Sequence, residues 1–206
     1  MNPLNRFGSD SAAAQRLAHL SDTDLSRRAR VLNADLAART LLIPFFGHHH
    51  RVSAEGVTDA TGNPPTPAVA NLLLDYVLYC PVMVPEAGAW ITFREFSGAG
   101  PLMGYFVGNT NKLIESHFAG NAGALEARCS SLGGKVVQGV SGLDLCMEMA
   151  VLPRLSIRMA FNDRDEDFPA QCSLLFQKSA ETYLPMKSMA VAGTWLAGKL
   201  VGSRNG

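Results

Sequence analysis

Gly47-His48-His49-His50-Arg51 sets three imidazoles side by side. On a strand, alternate residues share a face, so His48 and His50 point the same way and can share a metal ion. Imidazole also serves haem iron or cobalt as an axial ligand. The bland alternative is a solvated cluster on a hairpin edge, because no acidic or thiol partner lies close in sequence. No Cys-x-x-Cys-His occurs, so covalent c-type haem attachment is not indicated.

A second stretch combines Trp90, Phe93, Arg94 and Glu95 with the glycine-rich Ser97-Gly98-Ala99-Gly100 and with Tyr105. Arg94 can hold a carboxylate or phosphate, and the aromatic rings can stack a planar ligand. Glycines let a ligand approach backbone N–H groups closely. Trp90, Phe93, Arg94, Glu95 and Tyr105 are therefore the candidate cofactor-binding residues, and His48 and His50 the candidate metal ligands. The competing structure is a helical turn that buries Trp90 and Phe93 and pairs Arg94 with Glu95. No P-loop or dinucleotide fingerprint is present, since no Gly-Lys-Ser/Thr follows the glycines.

Asp163-x-Asp165-x-Asp167 opens like a calcium loop, but Phe168 stands where glycine is needed and Leu174 where the bidentate glutamate belongs. Solvated acids in a turn are the simpler reading. Cys146, Met147, Met149 and Met159 are soft sulfur ligands on the expected terminal sheet. Alternating sulfur on a strand more often packs a core. No Gly-x-Ser-x-Gly elbow and no His-Glu-x-x-His helix occurs. Catalytic residues are not assigned by any motif.

Elements must position these groups. In 206 residues one domain is the default. The expected division is a loose N-terminus over 1–10 and one α+β domain over 11–206. Lys+Arg 18 balance Asp+Glu 18, which argues against binding nucleic acid through a basic face. No apolar run reaches the about 18 residues of a membrane span, and residues 1–10 lack the plan of a secretory signal. The expectation is a cytoplasmic protein with no membrane and no nucleic-acid partner. The 4 cysteines are widely spaced and read as buried thiols.

Two helices are expected within 11–40, with Ser21 capping the second and Leu25, Ala29, Leu32 and Leu36 forming its apolar stripe. That helix should end before Pro44. Residues 41–46 and 51–54 read as a hairpin or bent strand around the histidines, with a short return strand at 57–59. Thr66-Pro67 opens a nearly all-apolar core helix over 68–79. Helices are expected over 106–118 and 122–132. Strands follow over 143–152, 154–161 and 170–176, then a closing helix over 186–201 behind Pro185. The fold class is α+β: a C-terminal antiparallel sheet of about three to five strands packed against several helices.

Several short blocks, taken in order, resemble a family of domains of unknown function found in bacteria and archaea, mostly anaerobes. They are Leu42-Ile43-Pro44-Phe45-Phe46-Gly47, Trp90-Ile91-Thr92-Phe93-Arg94-Glu95, Leu132-Gly133-Gly134, Leu152-Pro153-Arg154, Asp165-Glu166-Asp167-Phe168-Pro169-Ala170, Leu174-Leu175-Phe176, Ser179-Ala180 and Tyr183-Leu184-Pro185. The resemblance runs from about residue 31 to residue 200. It implies company with a four-cysteine iron–sulfur domain of the kind seen in corrinoid proteins, a module this chain lacks. It also implies a helper role in anaerobic cofactor or one-carbon metabolism. The triple histidine departs from the more mixed residues expected after the Phe-Gly block.

Three functions are consistent with these residues. The first is binding of a tetrapyrrole (haem or corrinoid) or metal cofactor. The second is an enzyme on a small anionic substrate, with Arg94 as anchor and Glu95 or Asp167 as acid or base. The third is an interaction module for an iron–sulfur or corrinoid partner protein.

Overall fold

The computed structural model describes residues 10–202, with side chains from residue 15 onward. The expected loose N-terminus falls on residues outside that range, save for Asp10, which starts the first helix. The chain divides into two compact units. The first holds the described residues up to 86 together with 152–154 and 179–191, and the second holds 87–151, 155–178 and 192–202. Both contain an antiparallel sheet and helices, so the α+β class holds.

In the first unit, α1 (Asp10–Ser21) and α2 (Leu25–Leu32) lead into a four-stranded meander in the order β1-β2-β3-β4. Its strands are Asp35–Ala37, Thr40–Phe45, His48–Ser53 and Gly56–Asp59. The cap of α2 is Asp24, whose Oδ1 accepts the Arg27 N–H at 3.0 Å, rather than Ser21, which closes α1. Leu25, Ala29 and Leu32 are buried as the stripe requires. Leu36 is not part of it. Asn33 adopts the left-handed conformation (φ 56°) and ends the helix, so Leu36 lies in β1, exposed.

The β2–β3 turn is Phe46-Gly47, both at positive φ (46° and 78°), the backbone that suits a two-residue hairpin. It sets the register Phe45↔His48 and Ile43↔His50. One face of the meander is therefore apolar: Leu41, Ile43, Phe45, Val52 and Val57 are buried. Helix α3 (Pro67–Leu78) is buried nearly all round and reaches β4 and α1. Arg28 donates to the carbonyls of Val77 and Leu78, closing the C-terminus of α3. Tyr76 donates to the Leu32 carbonyl at 2.9 Å, and burial raises its phenol well above the ordinary range.

In the second unit the sheet order is β5-β9-β8-β7-β6. The strands are Trp90–Thr92 (β5), Lys135–Val136 (β6), Leu145–Leu152 (β7), Leu155–Asn162 (β8) and Gln171–Gln177 (β9). Alternation on β8 and β9 buries Leu155, Ile157, Met159 and Phe161 beside Cys172, Leu174 and Phe176. The helices are α4 (Met103–Asn109), α5 (Asn111–Phe118), α6 (Ala122–Ser131) and the later turns of α7 (Met186–Val201). The single helix expected over 106–118 is broken at Thr110 (φ −128°, ψ −86°), and its hydroxyl turns back to the Phe106 carbonyl at 2.7 Å. All four cysteines are buried free thiols. No helix among the described residues is long and apolar enough to cross a membrane.

Candidate binding pocket

β5 is only three residues long because its chain turns into a 3-10 turn, Phe93–Glu95. The turn is tied at its start. Glu95 Oε2 accepts the Thr92 N–H at 2.7 Å and the Thr92 hydroxyl at 2.8 Å. These two donors, the backbone N–H first, hold the Glu95 carboxyl below its usual range. The expected Arg94–Glu95 ion pair is not what forms here. Glu95 serves Thr92. Arg94 is exposed, and among the described residues no hydrogen bond or ion pair holds it.

The turn aims Phe93 inward, 2% exposed. Its ring lies on Phe106 of α4, centroids 4.0 Å apart and planes 10° from parallel. Phe176 of β9 meets both rings, at 6.3 and 6.2 Å. Beyond Thr92 the edge of β9 faces α5 instead of a strand, and Glu115 Oε1 accepts the Cys172 N–H at 3.0 Å.

Between this edge, the turn and α4 lies a cavity of about 240 Å³. Its apolar lining is Phe93, Met103, Phe106, Val107 and Leu174. Its polar lining is Thr92, Arg94, Asn111 and Ser173. Arg94 brings the lining's one charge. Pockets that enclose drug-sized ligands run to about 300–1,000 Å³, so this one suits something smaller. A wider depression of about 480 Å³ shares Ser173 with it, but its cation is spent: Lys112 Nζ lies 2.7 Å from Glu115 Oε2.

Of the five residues singled out for a ligand, Phe93 and Arg94 line the cavity. Trp90 does not: it is half-buried on β5, with the Arg158 guanidinium 4.1 Å from its ring centroid. Arg158 in turn pairs with Glu148 at 2.8 Å. Glu95 is occupied by Thr92. Tyr105 points to α7, where its hydroxyl bonds Thr194, and burial raises its phenol. Neither Glu95 nor Asp167 lines the cavity with Arg94, so the acid–base pairing expected with that arginine is not assembled there.

The histidines share a face, as strand alternation demands, but not an environment. His50 is 7% exposed, edge-on to Phe45 at 6.4 Å, and its Nδ1 lies 2.8 Å from the His48 carbonyl. Burial lowers its pKa, which favours neutral imidazole. His48 is exposed. Among the described residues no group of three or more His, Cys, Asp or Glu side chains is placed to hold a metal ion.

The acidic turn is structural. Asp163 accepts the N–H groups of Gly120 (2.5 Å) and Ala122 (3.0 Å) and so holds the start of α6. Asp165 accepts those of Asp167 and Phe168. Met147, Met149 and Met159 pack the sheet core. The pocket residues missed in the sequence are Thr92, Met103, Phe106, Val107, Asn111, Ser173 and Leu174. Nothing in their local spacing marks them, because the break at Thr110 and the short β5 create the cavity.

Fold and pocket together define an α+β protein with a small, singly charged cavity in its second unit. The chain belongs to the family described as a domain of unknown function (DUF3786), whose model matches residues 24–199. No curated protein and no solved structure matches it.

Proposed function

We propose that this protein binds a small anionic ligand in the pocket beside Arg94. One observation carries this: an unpaired guanidinium at the edge of a preformed cavity whose floor is two stacked phenylalanines. An arginine held by no carboxylate keeps its paired donors for an external oxyanion. Aromatic and aliphatic walls offer apolar contact to the rest of such a ligand. The pocket contains no acid, so binding rather than catalysis is the function it supports.

The test is calorimetric titration of the full chain with small carboxylates and inorganic phosphate, and separately with haem and cobalamin. Saturable binding of a small anion that Arg94→Ala weakens supports the reading. Binding of a tetrapyrrole but of no small anion contradicts it and restores the planar-cofactor alternative.

A second reading has its own observation. Tyr79, Val82, Met83 and Val84 are exposed at 53, 87, 74 and 46%, in a loop that Arg27 fastens through the carbonyls of Pro81 and Val82. An ordered apolar loop held out to solvent is the kind of surface a partner protein covers. The partner proposed for it is an iron–sulfur or corrinoid protein, as the resemblance of the sequence implies. Val82→Asp with Met83→Asp should abolish binding to such a purified protein. Undiminished binding removes the reading.

A further inference from the structure

We infer that the Arg94 pocket takes a small monocarboxylate with an apolar tail, and that Gly193 sets how long that tail can be. This rests on the reading of the pocket as the binding site and says what occupies it.

The charge argues first. One guanidinium lines the cavity, with no second cation and no acid. A monoanion balances it. A phosphate dianion would leave a negative charge uncompensated against five apolar side chains, a costly arrangement. The planar fork of Arg94 matches a carboxylate with two parallel hydrogen bonds. Beyond the charged end, Phe93, Phe106, Met103, Val107 and Leu174 offer contact only to carbon.

The depth of that apolar part depends on where the Phe106 ring lies. Gly193 is buried inside α7, where glycine is a poor helix former. A Cβ there would stand 2.6 Å from Phe106 Cε2 and 3.1 Å from its Cζ. Both are well inside van der Waals contact. The absent side chain is what lets the ring settle against α7 and stay parallel to Phe93. A methyl group at 193 must drive the ring away from α7, out of its stack, and so reshape the apolar part of the cavity. Side-chain size at 193 therefore governs ligand length.

The experiment is calorimetry of the full chain with straight-chain monocarboxylates from acetate to octanoate, and with inorganic phosphate as the competing anion. It uses the wild type, Arg94→Ala, Gly193→Ala and Phe106→Leu, each checked by circular dichroism. The wild type should bind carboxylates with a clear optimum length, and phosphate far more weakly. Gly193→Ala should shift the optimum shorter and weaken the wild-type optimum ligand about tenfold, the discrimination expected for one methylene. Phe106→Leu should shift it longer, which keeps the inference testable should Gly193→Ala not fold. Phosphate binding as tight as carboxylate overturns the monocarboxylate assignment, and an unshifted optimum in folded variants overturns the control of ligand length by Gly193. The failures separate. Wild type that binds neither anion, or binding indifferent to Arg94→Ala, removes the binding site itself. Arg94-dependent binding with an unshifted optimum removes only the role of Gly193.

Discussion

Removing the Ser188 hydroxyl should destabilise the protein, and more so at neutral pH than in mild acid. Asp75 sits on α3, 4% exposed, and one of its oxygens accepts the Ser188 hydroxyl at 2.5 Å. Its other oxygen lies 2.9 Å from Arg16 Nη2, on a side chain 35% exposed. Burial raises the Asp75 carboxyl, while Ser188 and then Arg16 oppose that rise. Ser188→Ala leaves a buried carboxylate oxygen without its donor, at a cost of about 1–3 kcal/mol. For a chain of this length that is a fall in Tm of roughly 2–12 °C. The loss also pushes the Asp75 pKa higher. A carboxyl whose folded pKa lies above its unfolded value contributes fully below the unfolded pKa, near 4, and loses that contribution as pH rises through the folded one. The variant's deficit should therefore be larger at pH 7 than at pH 4.5. Urea unfolding at both values measures it. A deficit under about 0.5 kcal/mol at pH 7, or one that grows on acidification, would refute the account of Asp75.

Other outcomes follow from the same geometry. Arg94→Ala should leave Tm within about 1 °C, because an exposed side chain without a partner contributes little to folding, while it weakens anion binding by at least tenfold, the loss of a charge-assisted contact. Calorimetry and thermal melts in parallel read both. Wild-type stability should fall as pH drops below about 6.5, because the unfolded chain then takes up a proton that buried His50 resists. His50→Gln should flatten that slope, as urea midpoints at pH 7.5 and 5.5 will show. Asp163→Ala frees the N–H groups of Gly120 and Ala122 and should cost about 1 kcal/mol, with faster amide exchange at the start of α6.

The C-terminal half was legible because its signals are local. Strand alternation placed β7, β8 and β9 to within two residues, and Pro185 placed the start of α7. The core helix α3 announced itself by Thr66-Pro67 and an unbroken apolar run. The hairpin β1–β2 was not legible, since its turn is Ala38-Arg39, both at positive φ (46° and 61°), with none of the Gly or Asn that usually marks such a turn. A helix stripe through Leu36 looked as good until Asn33 ended it. Of the pocket, Arg94 and Phe93 were visible as types worth noticing. Trp90 and Tyr105 were equally suggestive, and only tertiary neighbours, Arg158 and Thr194, take them out of reach. Ser173 and Asn111 carry no local sign, because their role depends on an unpaired strand edge that no spacing records.

The most direct measurement is a backbone amide chemical-shift map of the full chain titrated with its best-binding small carboxylate. Shifts confined to Thr92, Phe93, Arg94, the first turn of α4, Asn111 and Ser173, and abolished in Arg94→Ala, are what the account predicts. Shifts centred on the His48–Ser53 strand, or spread without a focus, would contradict it.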